Sequence, residues 1–317
     1  MIGYRDPGRP TNAEDLLEHT GMATDQLIAK RAGARVVQPP TVRHPNHARL
    51  IAMAYTPGEL FASTAPYYAK YRPGYDPRLF DLLTHRFGLH GTERVLDLGT
   101  GTGALALPLA RHVAEVIAVD PNPGMLAHAR SLADQAGITN IDWRHGDSTT
   151  LHALNIGHVL LTVMGAAFHW TDRQQLLAEL DDLVADEGGV VLASTGAPGD
   201  VPPPPWSHII TEVRARYLGR ERRAGSSTYT HPEHTHQEVL ARSSFSHVET
   251  THWDRDITRT LNQLIGLQFS YSYSSPAQLG PDKDAFECEL RRKLSAYSPE
   301  GRYTETTHTE AIIATRP

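Results

Sequence analysis

The stretch Val95-Leu96-Asp97-Leu98-Gly99-Thr100-Gly101-Thr102-Gly103 constrains this chain more than any other. A short apolar run carries an acid near its end, breaks into alternating glycines, and then enters a helix-like pattern. Alternating glycines let a backbone turn sharply and approach a ligand closely, because no Cβ stands in the way. Between a strand and a helix, such a turn sits at the carboxyl edge of a parallel sheet, where small molecules bind. Val116-Ile117-Ala118-Val119-Asp120 reads as a second buried strand, again ending in an acid. Strand, glycine turn, helix, strand and acid, in that order, describe a nucleotide-binding βαβ unit.

The surrounding pattern extends this unit into a doubly wound α/β sheet. Asp76 to Phe87 reads as a helix with Leu79, Phe80, Leu82 and Leu83 inward and Gly88 as its stop. Met125, Leu126, Ala129, Leu132, Ala133 and Ala136 recur at helical spacing, and Gly137 ends that helix. Asp172 caps a helix with the stripe Leu176, Leu177, Leu180, Leu183 and Val184, and Gly188-Gly189 leads into the buried strand 190–194. Alternating strands and helices of this length argue a doubly wound sheet. Pro108 falls inside the first core helix, which predicts a kink or a shortened helix there. Past Ser194 the texture changes. Pro202 to Pro205 reads as extended chain, Ile209 to Leu218 as a helix, and 220–227 as an exposed loop. Val248 to Trp253 and Thr307 to Thr315 read as the last strands, around helical segments at Leu261–Phe269 and Phe286–Leu294.

Two ligands compete for the turn. Gly99, Gly101 and Ala104 satisfy a dinucleotide fingerprint, and Asp120 lies at a distance suited to a ribose. Asp97 weighs against NAD, since a carboxylate beside a pyrophosphate is repulsive. A ligand with a cationic amino-acid tail and no phosphate suits that acid better, and S-adenosylmethionine is such a ligand.

From these residues the chain resembles the class I S-adenosylmethionine-dependent methyltransferases, from about Ser63 to the C-terminus. Asp120-Pro121-Asn122-Pro123-Gly124-Met125-Leu126 is similar to the second family motif, and Trp143-Arg144-His145-Gly146-Asp147-Ser148 to the third. Val159 to Met164 followed by Ala166-Ala167-Phe168-His169-Trp170 is similar to the fourth strand and its loop. Tyr67 to Tyr75 resembles the segment that precedes the core in the small-molecule branch of trans-aconitate methyltransferase-like and type 11-like enzymes. The resemblance implies a Rossmann-like, mostly parallel sheet with an antiparallel last strand, and an insertion after the fifth strand. It implies a cofactor site of Tyr67, Arg72, Asp97, Gly99, Gly101, Gly103, Asp120, Asn122, Met125, Asp147, Ser148 and Met164. Asp120 would take the ribose hydroxyls, Asp147 the adenine amino group, and Arg72 with Tyr67 or Tyr71 the methionine carboxylate. His158 stands where the family often carries an acid at the start of the fourth strand.

Methyl transfer is an in-line displacement from a sulfonium, so positioning and exclusion of water dominate. His169 is the candidate base or substrate orienter, with loop packing as its alternative role. Phe168 and Met164 are expected to shape the pocket wall. His231, His234 and His236 cluster, but their spacing matches no standard zinc site, and no metal is expected. Trp206, Tyr271 and Tyr273 suit either an apolar substrate cavity or ordinary packing.

Composition narrows the partners. A net charge of −6 supplies no global basic field for nucleic acid or anionic membranes, and no apolar span is long enough to cross a bilayer. One cysteine, Cys288, excludes an internal disulfide framework, and no signal core opens the chain. The expectation is a cytoplasmic enzyme that methylates a small organic molecule of specialised metabolism, at oxygen first and at carbon or nitrogen otherwise. An NAD-dependent oxidoreductase and a non-catalytic S-adenosylmethionine-binding module are the rivals. The expected division is an N-terminal helical extension over 1–62, serving as lid or oligomerising arm, and a methyltransferase domain over 63–317. Residues 197–245 would form its variable substrate-side region.

Overall fold

The computed structural model describes residues 64–196, 201–219, 223–224, 227–228 and 234–317. The role given to the extension over 1–62 lies outside the described residues, as does His231.

Helix α1 (Ala65–Tyr71) leads through a linker into α2 (Pro77–Phe87). Asp76 caps α2 by accepting the Arg78 amide at 3.0 Å, and Gly88 ends it at φ 60°. A carboxylate cap, a first-turn proline and a left-handed glycine satisfy both ends of the helix. The core follows as β1 (Arg94–Leu98), α3 (Ala106–Leu109), β2 (Glu115–Asp120), α4 (Pro123–Gln135), β3 (Ile141–His145), β4 (Val159–Gly165), α5 (Arg173–Leu183) and β5 (Val184–Gly196). Next come α6 (Ser207–Leu218), a two-residue hairpin pair at Arg223–Ala224 and Ser227–Thr228, α7 (His236–Leu240) and β6 (His247–Thr260). The chain closes with α8 (Leu261–Phe269), α9 (Pro276–Leu279), α10 (Lys283–Tyr297) and β7 (Arg302–Thr315).

The seven strands are ordered β3-β2-β1-β4-β5-β7-β6. The first five are parallel, and β7 runs antiparallel to both neighbours. Alternation along β1 sends Leu96 and Leu98 to one face with Ile117, Val119 and Leu180, and Val95 to the other with Leu79, Leu109 and Val116. Both faces are covered, as a parallel sheet requires. The order reverses between β1 and β4, which opens a crevice at their carboxyl ends.

Pro108 leaves α3 only four residues long, the shortened helix that was one of the two expected outcomes. Two sequence expectations change. Leu183 ends α5, and Val184 leaves the helical stripe to pair with Val159 as the first residue of β5. Gly188 therefore lies inside a strand with a register shift, where a Cβ would strike the Leu160 carbonyl. The last two strands are also far longer than 248–253 and 307–315. Gly196, at the carboxyl end of β5, pairs with His308, and β6 and β7 continue past it as a two-stranded arm up to the Thr260–Arg302 pair.

That arm carries a helical cap built from α6, α8, α9 and α10. Its buried cluster includes Trp206, Val213, Leu264, Phe269, Phe286 and Tyr303. Burial of each large apolar side chain contributes about 1.5–3 kcal/mol, so this is a genuine second core. Much of the cap comes from between β6 and β7, beyond the expected insertion after β5. From that insertion α7 instead joins the sheet, since Val239 and Leu240 pack in the same cluster as Leu180. At Gly266 a Cβ would collide with the Tyr71 ring, so the glycine permits the close approach of α1 to the cap.

Candidate active site at the glycine turn

The turn after β1 is left-handed at Gly99, Gly101 and Gly103, with φ of 74°, 55° and 81°. At Gly99 an added Cβ would lie 2.5 Å from the Ala167 Cβ, so the loop after β4 presses on the turn. The Gly101 amide donates to Asp120 Oδ2 at 2.8 Å, while Asp120 Oδ1 accepts the Asn122 amide at 2.8 Å. Asn122 in turn caps α4 by accepting the Met125 amide at 3.1 Å. The acid of the second strand thus organises both the glycine turn and the next helix start.

Asp97 is 1% exposed. Its Oδ2 accepts from Thr100 Oγ1 at 2.7 Å and from the Ala106 amide at 3.0 Å, while its Oδ1 has no partner among the described residues. Burial pushes the carboxyl up to about 7, with Asp120 adding repulsion and the two hydrogen bonds opposing. Asp97 shares a cavity of about 30 Å³ with Tyr68, Tyr75, Gly99, Gly101 and Gly165. Tyr68 and Tyr75 are the residues that sequence reasoning missed, although both stand inside the segment that carried the resemblance.

The other expected site residues are distributed as follows. Tyr67 meets Phe269 edge-on at 5.2 Å, in the cap cluster. The Arg72 guanidinium donates to Ser270 Oγ at 3.0 Å and lies between the rings of Tyr68 and Tyr271, at 4.9 and 4.2 Å. Neither Tyr67 nor Arg72 borders the turn cavity; Arg72 stands behind Tyr68. Asp147 Oδ1 accepts from the amide and hydroxyl of Thr149, at 2.9 and 2.6 Å, and Ser148 beside it is half-buried. The Gly146 amide donates to the Asp120 carbonyl at 3.2 Å, which ties this loop to the end of β2. Met125 is buried on α4. Met164 and Phe168, expected on the pocket wall, lie instead in the apolar cluster beneath α5. Tyr271 and Tyr273 stack at 5.0 Å, whereas Trp206 is spent on Tyr303 and the Thr304 carbonyl.

The loop after β4 holds Ala166 at φ 52°, a strained value for a residue with a Cβ. Its amide donates to the Ala193 carbonyl at 2.9 Å. His169 follows in a short 3-10 turn, stacked at 6.4 Å on His236 of α7. Burial, His236 and Arg173 hold the His169 imidazole down at about 4, so it is neutral across the physiological range. Arg173 Nη1 donates to the His234 carbonyl at 2.9 Å and lies 3.4 Å from His236 Nδ1. His234 faces Arg242 and Glu238, so the histidines of this stretch engage separate partners.

At the opposite edge of the sheet, a shallow groove of about 430 Å³ is bounded by Phe87, Glu93, Arg94, His158 and Glu187. Two of its charges are already committed. Glu93 Oε2 accepts three backbone amides, and Arg94 binds Glu115 and the Ile156 and His158 carbonyls. Arg94 thereby anchors the loop before β4 in a chain that carries His158 in place of an acid.

Residues 95–188 match a family described as a methyltransferase domain. The chain contains a class I S-adenosylmethionine-dependent methyltransferase domain, and S-adenosylmethionine is the cofactor of that class. An uncharacterized methyltransferase of Bacillus subtilis is 31% identical over 108 residues, covering 34% of this chain and 43% of that protein. A ubiquinone biosynthesis O-methyltransferase of Azorhizobium caulinodans is 33% identical over 122 residues, covering 36% of this chain and 47% of that protein. The chain thus spans under half the length of these two relatives. Among solved structures, one described as a type II methyltransferase from Anaeromyxobacter dehalogenans superposes with a TM-score of 0.52 at 19% identity. It covers 78% of this chain and 98% of its own, and it shows the shared fold.

The residues present fit the cofactor. Among the described residues, Asp97 Oδ1 is a buried acceptor with no partner, as an ammonium requires, and an added Cβ at Gly101 would meet nothing within 4 Å.

Proposed function

We propose that this chain transfers a methyl group from S-adenosylmethionine to a small organic molecule held under the helical cap, with an oxygen nucleophile as the first choice. The single observation that carries this reading is the placement of the cap. A second apolar core rides on a strand arm that projects past the carboxyl ends of the parallel strands, on the side of the glycine turn. A cap in that position excludes water from a displacement that needs orientation more than chemical activation.

The bound cofactor supplies an electrophilic methyl on a good neutral leaving group. The chain's own residues supply the rest. Asp97 accepts from the methionine ammonium, Asp120 from the ribose hydroxyls, and Asp147 from the adenine amino group. Tyr67 packs on Phe269 and Arg72 on Ser270 and Tyr68, so neither touches the turn cavity, and the Arg72 charge acts on the methionine carboxylate through space. His169, neutral and in the loop whose Ala167 presses on the turn, would accept the acceptor's hydroxyl proton at an imidazole nitrogen, a role supported by its depressed pKa. The net charge of −6 supports an acceptor that is not nucleic acid. Among the described residues, no helix is long and apolar enough to cross a membrane.

Calorimetric titration with S-adenosylmethionine, S-adenosylhomocysteine and NAD tests the reading, followed by radiolabelled methyl transfer to pooled phenols, carboxylic acids and amines. Binding of S-adenosylhomocysteine with labelled ether or ester products is expected. Binding of NAD without S-adenosylhomocysteine would overturn it.

A further inference from the structure

We propose that His236 is a specificity-determining residue for the methyl acceptor: its Nε2–H donates to a second oxygen of the acceptor, beside the hydroxyl whose proton His169 takes. This rests on the reading of the chain as an oxygen methyltransferase with His169 as its base. His236 opens α7, in the region after β5, and its neighbours fix its ring. Thr235 caps the helix start, accepting the Glu238 amide at 3.2 Å while its own amide donates to Glu238 Oε2 at 2.9 Å. Val239 and Leu240 seat the helix in the apolar cluster beneath α5. Phe168 meets the His236 ring edge-on at 5.2 Å, and the His169 ring lies 22° from parallel to it with centroids 6.4 Å apart. Arg173, the first residue of α5, reaches across to the His234 carbonyl at 2.9 Å and to His236 Nδ1 at 3.4 Å.

The Arg173 contact decides which nitrogen carries the proton. A guanidinium only donates, so His236 Nδ1 must offer its lone pair, and the proton of the neutral ring resides on Nε2. Burial and the Arg173 charge push the imidazole below its ordinary value, which keeps the ring in this neutral form at neutral pH. Among the described residues, the hydrogen bonding of this ring ends with Arg173, which leaves Nε2–H for a ligand. His236 is thus a donor with a fixed proton, unsuited to act as a base. His169 has the complementary part. Its ring is neutral, and it belongs to the loop that presses on the glycine turn through Ala167. That loop is held under strain, with Ala166 at φ 52°. With centroids 6.4 Å apart, the two rings can address two oxygens of one small acceptor. One oxygen loses its proton to His169 as it takes the methyl from the sulfonium, and the other accepts from His236, whose proton stays in place. A hydroxyl with an acceptor oxygen on the adjacent carbon or the next one spans such a pair. A lone hydroxyl leaves Nε2–H unsatisfied, which weakens its hold.

Two measurements on the full chain test this. Isotope-edited NMR of nitrogen-labelled histidine reads the tautomer without any ligand. The His236 signals, assigned by their loss in His236→Phe, are expected to show a protonated Nε2 and a bare Nδ1 at neutral pH, with both tautomers populated in Arg173→Leu. Methyl transfer is then compared between 2- and 3-methoxyphenol and the matching 2- and 3-ethylphenol, in which a methylene replaces the ether oxygen. In at least one pair the methoxy compound is expected to have about tenfold higher kcat/KM, the upper end for a neutral hydrogen bond. His236→Phe and Arg173→Leu should bring that ratio to about one, and His236→Gln, which keeps a donor, should restore part of it. His169→Ala should slow both compounds alike and leave the ratio. The contrast is between acceptors on one protein, so partial unfolding of a variant would not imitate it. A proton on Nδ1, a ratio near one in the unaltered chain, or a ratio that survives His236→Phe would overturn the assignment. So would binding of S-adenosylhomocysteine without transfer to any of the four phenols. Failure to bind S-adenosylhomocysteine would overturn the cofactor reading itself.

Discussion

Replacing Asp97 by asparagine should raise the melting temperature of the ligand-free chain at pH 8 and abolish the pH dependence of its cofactor affinity. Asp97 is buried, one oxygen has no partner among the described residues, and its carboxyl moves from 3.8 to about 7 on folding. A raised carboxyl destabilises the fold above the unfolded value: the unfolded chain ionises near 4, while the folded chain resists until about 7. Folding stability therefore falls as pH rises through that window and stays reduced above it. The gap of about 3 pH units corresponds to roughly 4 kcal/mol at pH 8, an upper bound because asparagine does not reproduce every hydrogen bond. Recovery of half would raise the melting temperature by about 4–8 °C in a domain of this size. Cofactor binding has the opposite preference, because an ammonium favours the carboxylate. Affinity for S-adenosylhomocysteine should fall about tenfold for each pH unit below 7, or about a hundredfold between pH 7 and 5. Calorimetry in buffers of different ionisation enthalpy should register close to one proton released per ligand at pH 5.5 and almost none at pH 8. Affinity that stays flat from pH 8 to 5 with no proton exchange would refute the reasoning. So would an asparagine variant less stable than its parent at pH 8.

Other consequences can be checked with single substitutions. Gly99→Ala combines a left-handed φ of 74° with a Cβ placed 2.5 Å from that of Ala167. It should abolish S-adenosylhomocysteine binding and cost about 1–3 kcal/mol in chemical denaturation. His169→Ala should lower turnover far more than cofactor affinity, and the parent rate should show no inflection near pH 6.5, because the imidazole stays neutral down to about 4. That same depressed value means the fold loses stability as pH falls from 6.5 towards 4, a loss the alanine variant should lack. Gly266→Ala drives a Cβ into the Tyr71 ring and should loosen the contact between α1 and the cap, read as faster hydrogen exchange across 65–71 and a cost of about 1–3 kcal/mol.

Local signals were legible where a single residue decides local geometry. Asp76, Asp172 and Gly88 marked helix ends because their side chains, or the lack of one, act on the backbone within a few residues. Pro108 foretold a truncated helix for the same reason. The strand arm was not legible. In Asp254-Arg255-Asp256-Ile257-Thr258-Arg259-Thr260 polar side chains outnumber apolar ones, and an arm projecting beyond the sheet has no continuous apolar face to betray it. Val184 misled because Leu180, Leu183 and Val184 keep helical spacing up to the point where pairing with Val159 takes over. At the site, Tyr75 and Tyr67 are the same residue type in one short segment. Only the packing sends one to the turn cavity and the other to Phe269.

By itself the sequence determined the order of strands and helices, the turn at Gly99 to Gly103 and the acids at its flanks, since apolar period and glycine placement act locally. Tertiary structure decided what no local pattern encodes. It left Asp97 Oδ1 without a partner among the described residues and brought Tyr75 to the same cavity wall, although the two are separated by the whole of α2. It set Arg72 on Ser270 and lifted a second apolar core beyond the carboxyl edge. Desolvation and close approach depend on which distant segments meet, so the chemistry of the site emerges only once the sheet, the arm and the cap are assembled.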